Sequence, residues 1–193
     1  MPRPKTRSNE QVLEAALALM HARGPEALTF ASLSQASGLS AATLVQRFKD
    51  KPGLRHSALL HAWNRLDERT DRLAASVPRT PDGAITLLVG LSQQYGGIES
   101  YAEGLLILRE DLRDPVLRSR GASWKKTLSR VLDDCFSDIP YAPKGIGLLL
   151  AAQWQGALLW WSFDPQQRVE DFAEESLARF VAAVLARRSR SRR

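Results

Sequence analysis

The residue types that most often carry catalysis do not combine into a catalytic constellation in this sequence. His56 and His61 are five residues apart, so they do not share a helix face, and no His-Glu-x-x-His motif occurs. Cys135, the single cysteine, lies on an apolar stripe that is typical of inert packing. The adjacent acidic pairs at 133–134 and 174–175 point in different directions on a helix, so we expect both to face solvent. The sequence therefore predicts neither an enzyme nor a metal or other cofactor.

Length and composition predict a protein that folds without covalent or metal cross-links. The 193 residues are 44% hydrophobic, which is enough for a sizeable core. A single cysteine and a basic N-terminus with no apolar run behind it favour a reducing cytoplasm. Residues 146–163 are the most apolar segment, but they contain Gln153 and Gln155 and fall short of the ~20 residues that a bilayer requires. We therefore expect no membrane span.

Charge is distributed unevenly along the chain. Residues 1–70 carry ten Lys and Arg against six Asp and Glu, a net charge of +4, whereas residues 71–186 carry twelve against fifteen, a net charge of −3. Residues 187–193 add five arginines and no apolar residue, a composition that predicts disorder. A basic N-terminal segment followed by a slightly acidic one indicates a polyanionic partner for the N-terminal segment, although solubility alone would explain the same distribution.

The spacing of proline and apolar residues predicts an all-α chain of about nine helices. Long proline-free segments carry apolar residues at helical spacing, and none shows the period-two alternation of a strand. Gly24-Pro25 should end the first helix, because glycine favours a helix stop and proline cannot continue the helix. The predicted helices span residues 9–22, 41–48, 52–76, 82–95, 99–112, 115–137, 144–163 and 168–188, with a further short helix between Thr29 and Gly38 that holds Leu33 and Ala36.

Two very short predicted helices adjoin at Gly38, where a tight turn needs a backbone angle that glycine adopts easily. Thr29 and Ser40 can each cap one of these helices. The apolar residues expected to fix the helices at an angle are Leu33, Ala36, Leu39, Leu44 and Phe48. A two-turn helix is not stable alone, so the helices at 9–22 and 52–76 must support the pair. The pattern indicates a helix-turn-helix, whose second helix can enter the major groove of DNA.

The helix-turn-helix belongs to a longer set of residues with a defined spacing. The set follows an amphipathic helix that ends in Gly24. Its members are Thr29, Leu33, Ala36, Gly38-Leu39-Ser40, Thr43-Leu44, Phe48, Lys51 and Leu54. This set resembles the N-terminal motif of the TetR family of one-component transcriptional regulators. The resemblance covers about residues 9–63, and the rest of the chain is similar to the family in length and helix count. It implies an N-terminal three-helix DNA-binding unit at 1–55, a helical ligand-binding and dimerisation bundle at 56–188 and a basic tail at 189–193.

The resemblance implies contacts to double-stranded DNA residue by residue. Thr29 matches a family threonine that caps the second helix, whose N-terminus faces a phosphate. Thr43 matches a threonine of the recognition helix, which contacts the DNA backbone or a base edge. Lys51 matches a lysine that pairs with a phosphate. Two positions depart from the family pattern. Val45 stands where many members have a tyrosine, and Arg47 replaces a frequent histidine and could bind guanine or phosphate with its forked guanidinium. Arg47 and Lys51 could instead be solvated surface cations.

The other exposed positions predicted on the second helix have simpler options. Gln46 could hydrogen-bond adenine, while Ala41 and Ala42 can only contact a thymine methyl group or allow close approach of the backbone. Ser40 is first of all a helix cap, a role that is compatible with a phosphate contact. These side chains do not define which DNA sequence would be bound.

The last two long predicted helices indicate a homodimer. Residues 144–163 are unusually apolar, and residues 168–188 add an apolar stripe. Two such helices from each of two subunits would form a four-helix bundle, and the family resemblance favours this over burial of both helices within one subunit. A dimer also suits a helix-turn-helix, which reads few bases by itself.

A chamber for an unidentified small-molecule effector is expected among aromatic and a few polar residues between the DNA-binding unit and the dimer interface. The candidates are Tyr95, Tyr101, Arg109, Trp124, Gln153, Trp154 and Trp161. Such a lining suits a mostly apolar molecule, and Arg109 would favour an anion, while core packing is the alternative for each residue. By resemblance, the ligand would shift the helix at 52–76 and change the spacing of the recognition helices. The expected protein is a repressor that such a ligand releases from DNA.

Overall fold

In the computed structural model, residues 7–189 are described, apart from the side chains of Gln94 and of residues 187–189. This part of the chain contains nine α-helices and no strand, which confirms the predicted all-α class. The helices are α1 (Asn9–Arg23), α2 (Phe30–Ser37), α3 (Ala41–Phe48), α4 (Lys51–Ser76), α5 (Pro81–Ser92), α6 (Ile98–Arg113), α7 (Pro115–Asp134), α8 (Ile146–Trp161) and α9 (Val169–Ser189). Of the predicted basic tail, residues 190–193 lie outside the described range.

Side-chain caps start several of the helices, and those at Thr29 and Ser40 were predicted from the sequence. Thr29, Ser40 and Asp50 each accept a hydrogen bond from the backbone N–H three residues later, at 3.0, 3.1 and 2.7 Å. Asp114 accepts bonds from two backbone N–H groups in the first turn of α7. Glycines with positive φ, Gly24 and Gly38, end α1 and α2. These caps satisfy N–H groups that have no partner within the helix, which explains why the boundaries follow the local sequence so closely.

The predicted acidic pair at 133–134 is not wholly solvent-facing, and this part of the prediction is wrong. Asp133 lies near the end of α7 and accepts a hydrogen bond at 2.7 Å from the backbone N–H of Gly147, in the first turn of α8. A Cβ atom at Gly147 would lie 2.1 Å from the carbonyl oxygen of Ser129, so the two helix backbones are in close contact here. The residue before α8, Gly145, offers no side-chain cap, and Asp133 supplies it from another helix.

The chain divides into two compact units. Unit 1 comprises the residues up to Leu66 together with Glu99–Gly121, and unit 2 comprises Asp67–Ile98 with the residues from Ala122 onwards. The three boundaries fall within α4, after the first residue of α6 and within α7. The predicted functional division after residue 55 is a different partition, and it stays a prediction.

The core of unit 1 holds the two short helices in place. Leu33 of α2 and Leu44 of α3 are fully buried, and Leu39 between the helices packs against the same cluster. Ala36 is exposed, so its predicted contact between the short helices is wrong. Ser37 is buried in its place, because a residue four positions after Leu33 returns to the same helix face.

Unit 2 is built on α5, α8 and α9, with α9 in contact with both of the others. Trp154 of α8 is 1% exposed, and its indole N–H donates a 2.8 Å hydrogen bond to the hydroxyl of Ser92. The apolar helix predicted at 144–163 spans Ile146–Trp161. Among the described residues, no helix has both the length and the apolar character needed to cross a bilayer.

Candidate nucleic-acid interface

The recognition helix predicted by the sequence, α3, has one buried face and one solvent face. Leu44 is fully buried and Phe48 is 8% exposed, so residues four apart attach the helix to the core of unit 1. The exposed residues of α3 are Ala41, Ala42, Val45 and Gln46. The solvent face of α3 therefore carries four of the predicted DNA contacts, three of them with small or apolar side chains that allow close approach.

The N-terminus of α3 is closed by two linked hydroxyl groups. The Ser40 hydroxyl accepts the backbone N–H of Thr43 at 3.1 Å and lies 2.8 Å from the Thr43 hydroxyl. Ser40 is exposed and Thr43 is half-buried. The remaining N–H groups of the first turn add a partial positive charge at this end of the helix, which attracts anions such as phosphate.

Arg47 is held by the segment that precedes and begins α1. Its Nη1 atom donates to the carbonyl oxygen of Arg7 at 2.8 Å and lies 3.3 Å from the Asn9 side-chain oxygen. The residue is half-buried. One nitrogen of the Arg47 guanidinium, which was predicted to bind guanine or phosphate, is thus already hydrogen-bonded within the protein. Base readout by Arg47 stays a prediction.

Lys51 is paired with Glu26, an acidic residue that was not among the predicted site residues. Its Nζ atom lies 3.0 Å from one carboxylate oxygen of Glu26, in the 3-10 turn Pro25–Ala27, and Arg55 Nη2 lies 3.2 Å from the other. The hydrogen bond from Lys51 and the positive charge of Arg55 hold the pKa of Glu26 below its usual range. One signal in the sequence was available: Lys51 and Arg55 are like charges one helical turn apart, which is unfavourable without an anion between them.

Thr29 lies at the start of α2 in a reciprocal cap. Its backbone N–H and hydroxyl both reach the Ser32 hydroxyl at 3.0 Å, and the Ser32 hydroxyl also donates to the carbonyl oxygen of Ala27 at 2.8 Å. Thr29 is half-buried. The residue is therefore a helix cap, and its contact with phosphate stays a prediction.

The turn between α3 and α4 contains a strained backbone. Lys49 has φ 67° and ψ −64°, and it is the one non-glycine residue of the described chain with positive φ. The Asp50 N–H bonds to the carbonyl oxygen of Phe48 at 2.8 Å, which makes Lys49 the centre of a γ-turn, a rare conformation for a residue with a Cβ. This tight reversal places Asp50 at the cap of α4 and Lys51 beside the end of α3.

The residues predicted to line a ligand chamber are divided between the two units. Tyr101 and Arg109 belong to unit 1, whereas Tyr95, Trp124, Gln153, Trp154 and Trp161 belong to unit 2. Tyr101 is buried, and Arg109 is an exposed cation 3.4 Å from Glu110. The structure does not gather the seven residues within one unit, so a common chamber stays a prediction.

Several of the predicted chamber residues in unit 2 make internal hydrogen bonds. The indole N–H of Trp124 donates to the Thr70 hydroxyl at 2.9 Å, and that of Trp161 to the carbonyl oxygen of Gln167 at 2.8 Å. The amide of Gln153 donates to the Ser176 hydroxyl at 3.0 Å. These bonds, like that of Trp154, satisfy polar groups of the partly or fully buried side chains, as core packing requires.

A cavity that the sequence did not predict lies within unit 1. It has a volume of about 260 Å³ and is lined by ion-paired side chains of α4, α6 and α7 around Leu59 and Leu117. His56 Nδ1 lies 2.9 Å from a carboxylate oxygen of Asp114 at its wall. Burial by itself would raise the pKa of Asp114, but backbone hydrogen bonds from α7 and the bond from His56 outweigh it and hold the pKa below its usual value.

The N-terminal segment is similar to a known protein family. Residues 12–58 match the family model described as bacterial regulatory proteins of the tetR family. The matched range contains α2, α3, the γ-turn and the start of α4, and it confirms the resemblance found in the sequence. No curated protein matches the chain.

Solved structures, several of them described as TetR-family transcriptional regulators, share the fold along nearly the whole chain. A putative TetR-family transcriptional regulator from Mesorhizobium loti superposes with a TM-score of 0.65 at 18% identity, over 92% of this chain and 98% of that one. The multidrug binding protein EbrR, solved with malachite green, gives 0.63 at 19% identity over 90% and 98%. The ketosteroid transcriptional regulator KstR2 of Mycobacterium tuberculosis gives 0.58 at 17% identity over 96% and 97%.

Proposed function

We propose that this chain, which has the TetR-family fold and whose residues 12–58 match the family model, is a transcriptional regulator that binds double-stranded DNA. The observation that carries the proposal is the geometry of α3. Its buried Leu44 and Phe48 fix a short helix whose opposite face is exposed and carries no acidic residue. An exposed helix of this kind, supported from behind, is what the major groove admits.

The proposed contacts divide into base readout and phosphate binding. Gln46 would read a base edge, and the small side chains of Ala41 and Ala42 would let the helix backbone approach the groove floor. Val45 offers an apolar surface to a thymine methyl group. The phosphate contacts would come from the capped starts of three helices, at Thr29, at Ser40 with Thr43, and at Lys51, with Arg47 placing α3 against the start of α1.

A homodimer through the last two long helices is the second part of the proposal. Large apolar side chains stand exposed on α8 and just beyond it: Leu148, Leu149, Leu159, Trp160 and Phe163, with Trp160 71% and Phe163 74% exposed. A row of this size on a helix that is otherwise packed against α9 favours coverage by a second copy of the same surface. Two recognition helices would then meet two half-sites ~34–36 Å apart.

Release by a small, mostly apolar effector is the third part of the proposal. Two proteins with the same fold carry names that refer to such molecules, a multidrug binding protein solved with malachite green and a ketosteroid regulator. Several aromatic side chains of unit 2 would contact the effector after local rearrangement. A coupling of ~1–3 kcal/mol between the effector and DNA sites would change DNA affinity about 5–150-fold. The protein would thus act as a repressor in the cytoplasm and not as an enzyme.

The experiment that tests DNA binding is a salt titration of the wild type and of Lys51→Ala. Fragments selected from genomic DNA are labelled, and the dissociation constant is measured by fluorescence anisotropy at several KCl concentrations. We expect Lys51→Ala to weaken binding to all sequences and to reduce the slope of log K against log salt by roughly one, because one phosphate contact is lost.

A matched control is Lys126→Ala, which removes an exposed lysine of unit 2 and should leave both affinity and slope unchanged. An unchanged slope in Lys51→Ala would refute the phosphate contact. A wild-type protein that ignores duplex DNA even at low salt would refute the proposed function as a whole.

A further inference from the structure

The start of α4 forms a site for an anion, and the protein fills it with one of its own. Lys51 and Arg55 are one turn apart, and the Glu26 carboxylate bridges them at 3.0 and 3.2 Å, one oxygen to each cation. A phosphate group presents the same pattern of two acceptor oxygens to two cations. Lys51, which we propose as a phosphate contact, is therefore already paired with Glu26 in the structure.

The two sides of this site differ in how firmly they are held. The Glu26 side chain is 80% exposed and lies in a three-residue 3-10 turn, so it can turn away into solvent. Arg55 is 21% exposed, and its Nη1 atom is anchored by Glu110 of α6 at 3.0 Å. Arg55 therefore remains in place when Glu26 leaves, and an incoming anion meets one fixed cation beside the more exposed Lys51.

We infer that the Glu26 carboxylate competes with DNA phosphate for Lys51 and Arg55, and that Arg55 is a further phosphate-binding residue beside Lys51. The inference rests on the proposed DNA binding. Glu26 lowers affinity for every DNA sequence by the same factor, because the contact it blocks carries no base information. The base contacts made by α3 therefore contribute a larger share of the total free energy of DNA binding.

The competition has a consequence for the salt dependence. When DNA displaces Glu26, the carboxylate loses two cationic neighbours and attracts a cation from solution. This uptake cancels part of the counterion release that accompanies phosphate binding. Removal of the Glu26 charge should therefore strengthen binding and also steepen its dependence on salt.

The test compares Glu26→Gln with Glu10→Gln, which removes another exposed acidic charge from unit 1, in the first turn of α1. We expect Glu26→Gln to bind duplex DNA about fivefold more tightly at moderate salt, the size expected for two exposed ion pairs, and the slope to steepen by roughly 0.5–0.9. Glu10→Gln should show a smaller gain in affinity and no steeper slope. Thermal unfolding of both variants checks that the fold is unchanged.

A double-mutant cycle separates local competition from a general effect of charge. In a Lys51→Ala background, Glu26→Gln should gain less than about twofold, because one of the two contested cations is gone. The inference would be overturned if Glu26→Gln gained the same DNA affinity in both backgrounds, if Glu10→Gln gained as much, or if Glu26→Gln gained none. In each of these cases, binding of the wild type to DNA would leave the proposed function standing.

Discussion

Asp111 is a carboxylate buried in unit 1, and its replacement by asparagine should stabilise the protein at neutral pH. The residue is 9% exposed, and its Oδ1 atom accepts a hydrogen bond from the Trp63 indole at 3.2 Å. Burial raises the pKa of Asp111 from 3.8 to about 6, the Trp63 bond opposes this rise, and the nearby charges of Asp114 and Glu110 add to it. The folded state therefore resists ionisation of this group.

The sign and size of the effect follow from proton linkage. Because the pKa is higher in the folded than in the unfolded state, the folded protein binds more protons between about pH 4 and pH 6. The contribution of Asp111 to the free energy of unfolding is thus fully present below pH 4 and is lost as the pH rises through 6. At 1.36 kcal/mol per pKa unit, the loss is about 3 kcal/mol at pH 7.5 and about half of that at pH 5.

Asp111→Asn keeps an oxygen that can accept the Trp63 bond and removes the ionisation. Urea unfolding at fixed protein concentration should show the variant about 3 kcal/mol more stable than the wild type at pH 7.5, and about half as much at pH 5. Asp71→Asn, at an exposed aspartate, serves as the control and should change stability little at either pH. A variant that is less stable than the wild type, by the same amount at both pH values, would refute the reasoning.

Substitutions at three further residues test individual features. Lys49→Gly should raise the free energy of unfolding by about 1 kcal/mol in thermal melts, because glycine accepts the positive φ, whereas Lys49→Ala keeps the strain and should show no gain. Arg47→Ala should weaken DNA binding uniformly across a selected library, since its guanidinium holds the start of α1; relaxed preference at a single base pair would instead show direct readout. Trp160→Glu should yield monomers in sedimentation experiments, and an unaltered dimer would place the interface elsewhere.

The sequence by itself determined the helices and the helix-turn-helix. Caps act over three residues, as at Ser40 and Asp50, and the stripe of Leu44 and Phe48 repeats within one turn. Both signals are local, so they are readable before any tertiary contact is known. The predicted span of α3 matches the structure at both ends for this reason.

Only the tertiary structure decided which charges meet. Glu26 reaches Lys51 across 25 residues, and Arg47 reaches the Arg7 carbonyl across 40, so neither partner is visible in the spacing of the chain. The same holds for Asp133, which caps α8 from another helix, and for the aromatic residues expected in one chamber. A long polar side chain samples many partners in the unfolded chain, and only the packing of helices selects the one that satisfies it.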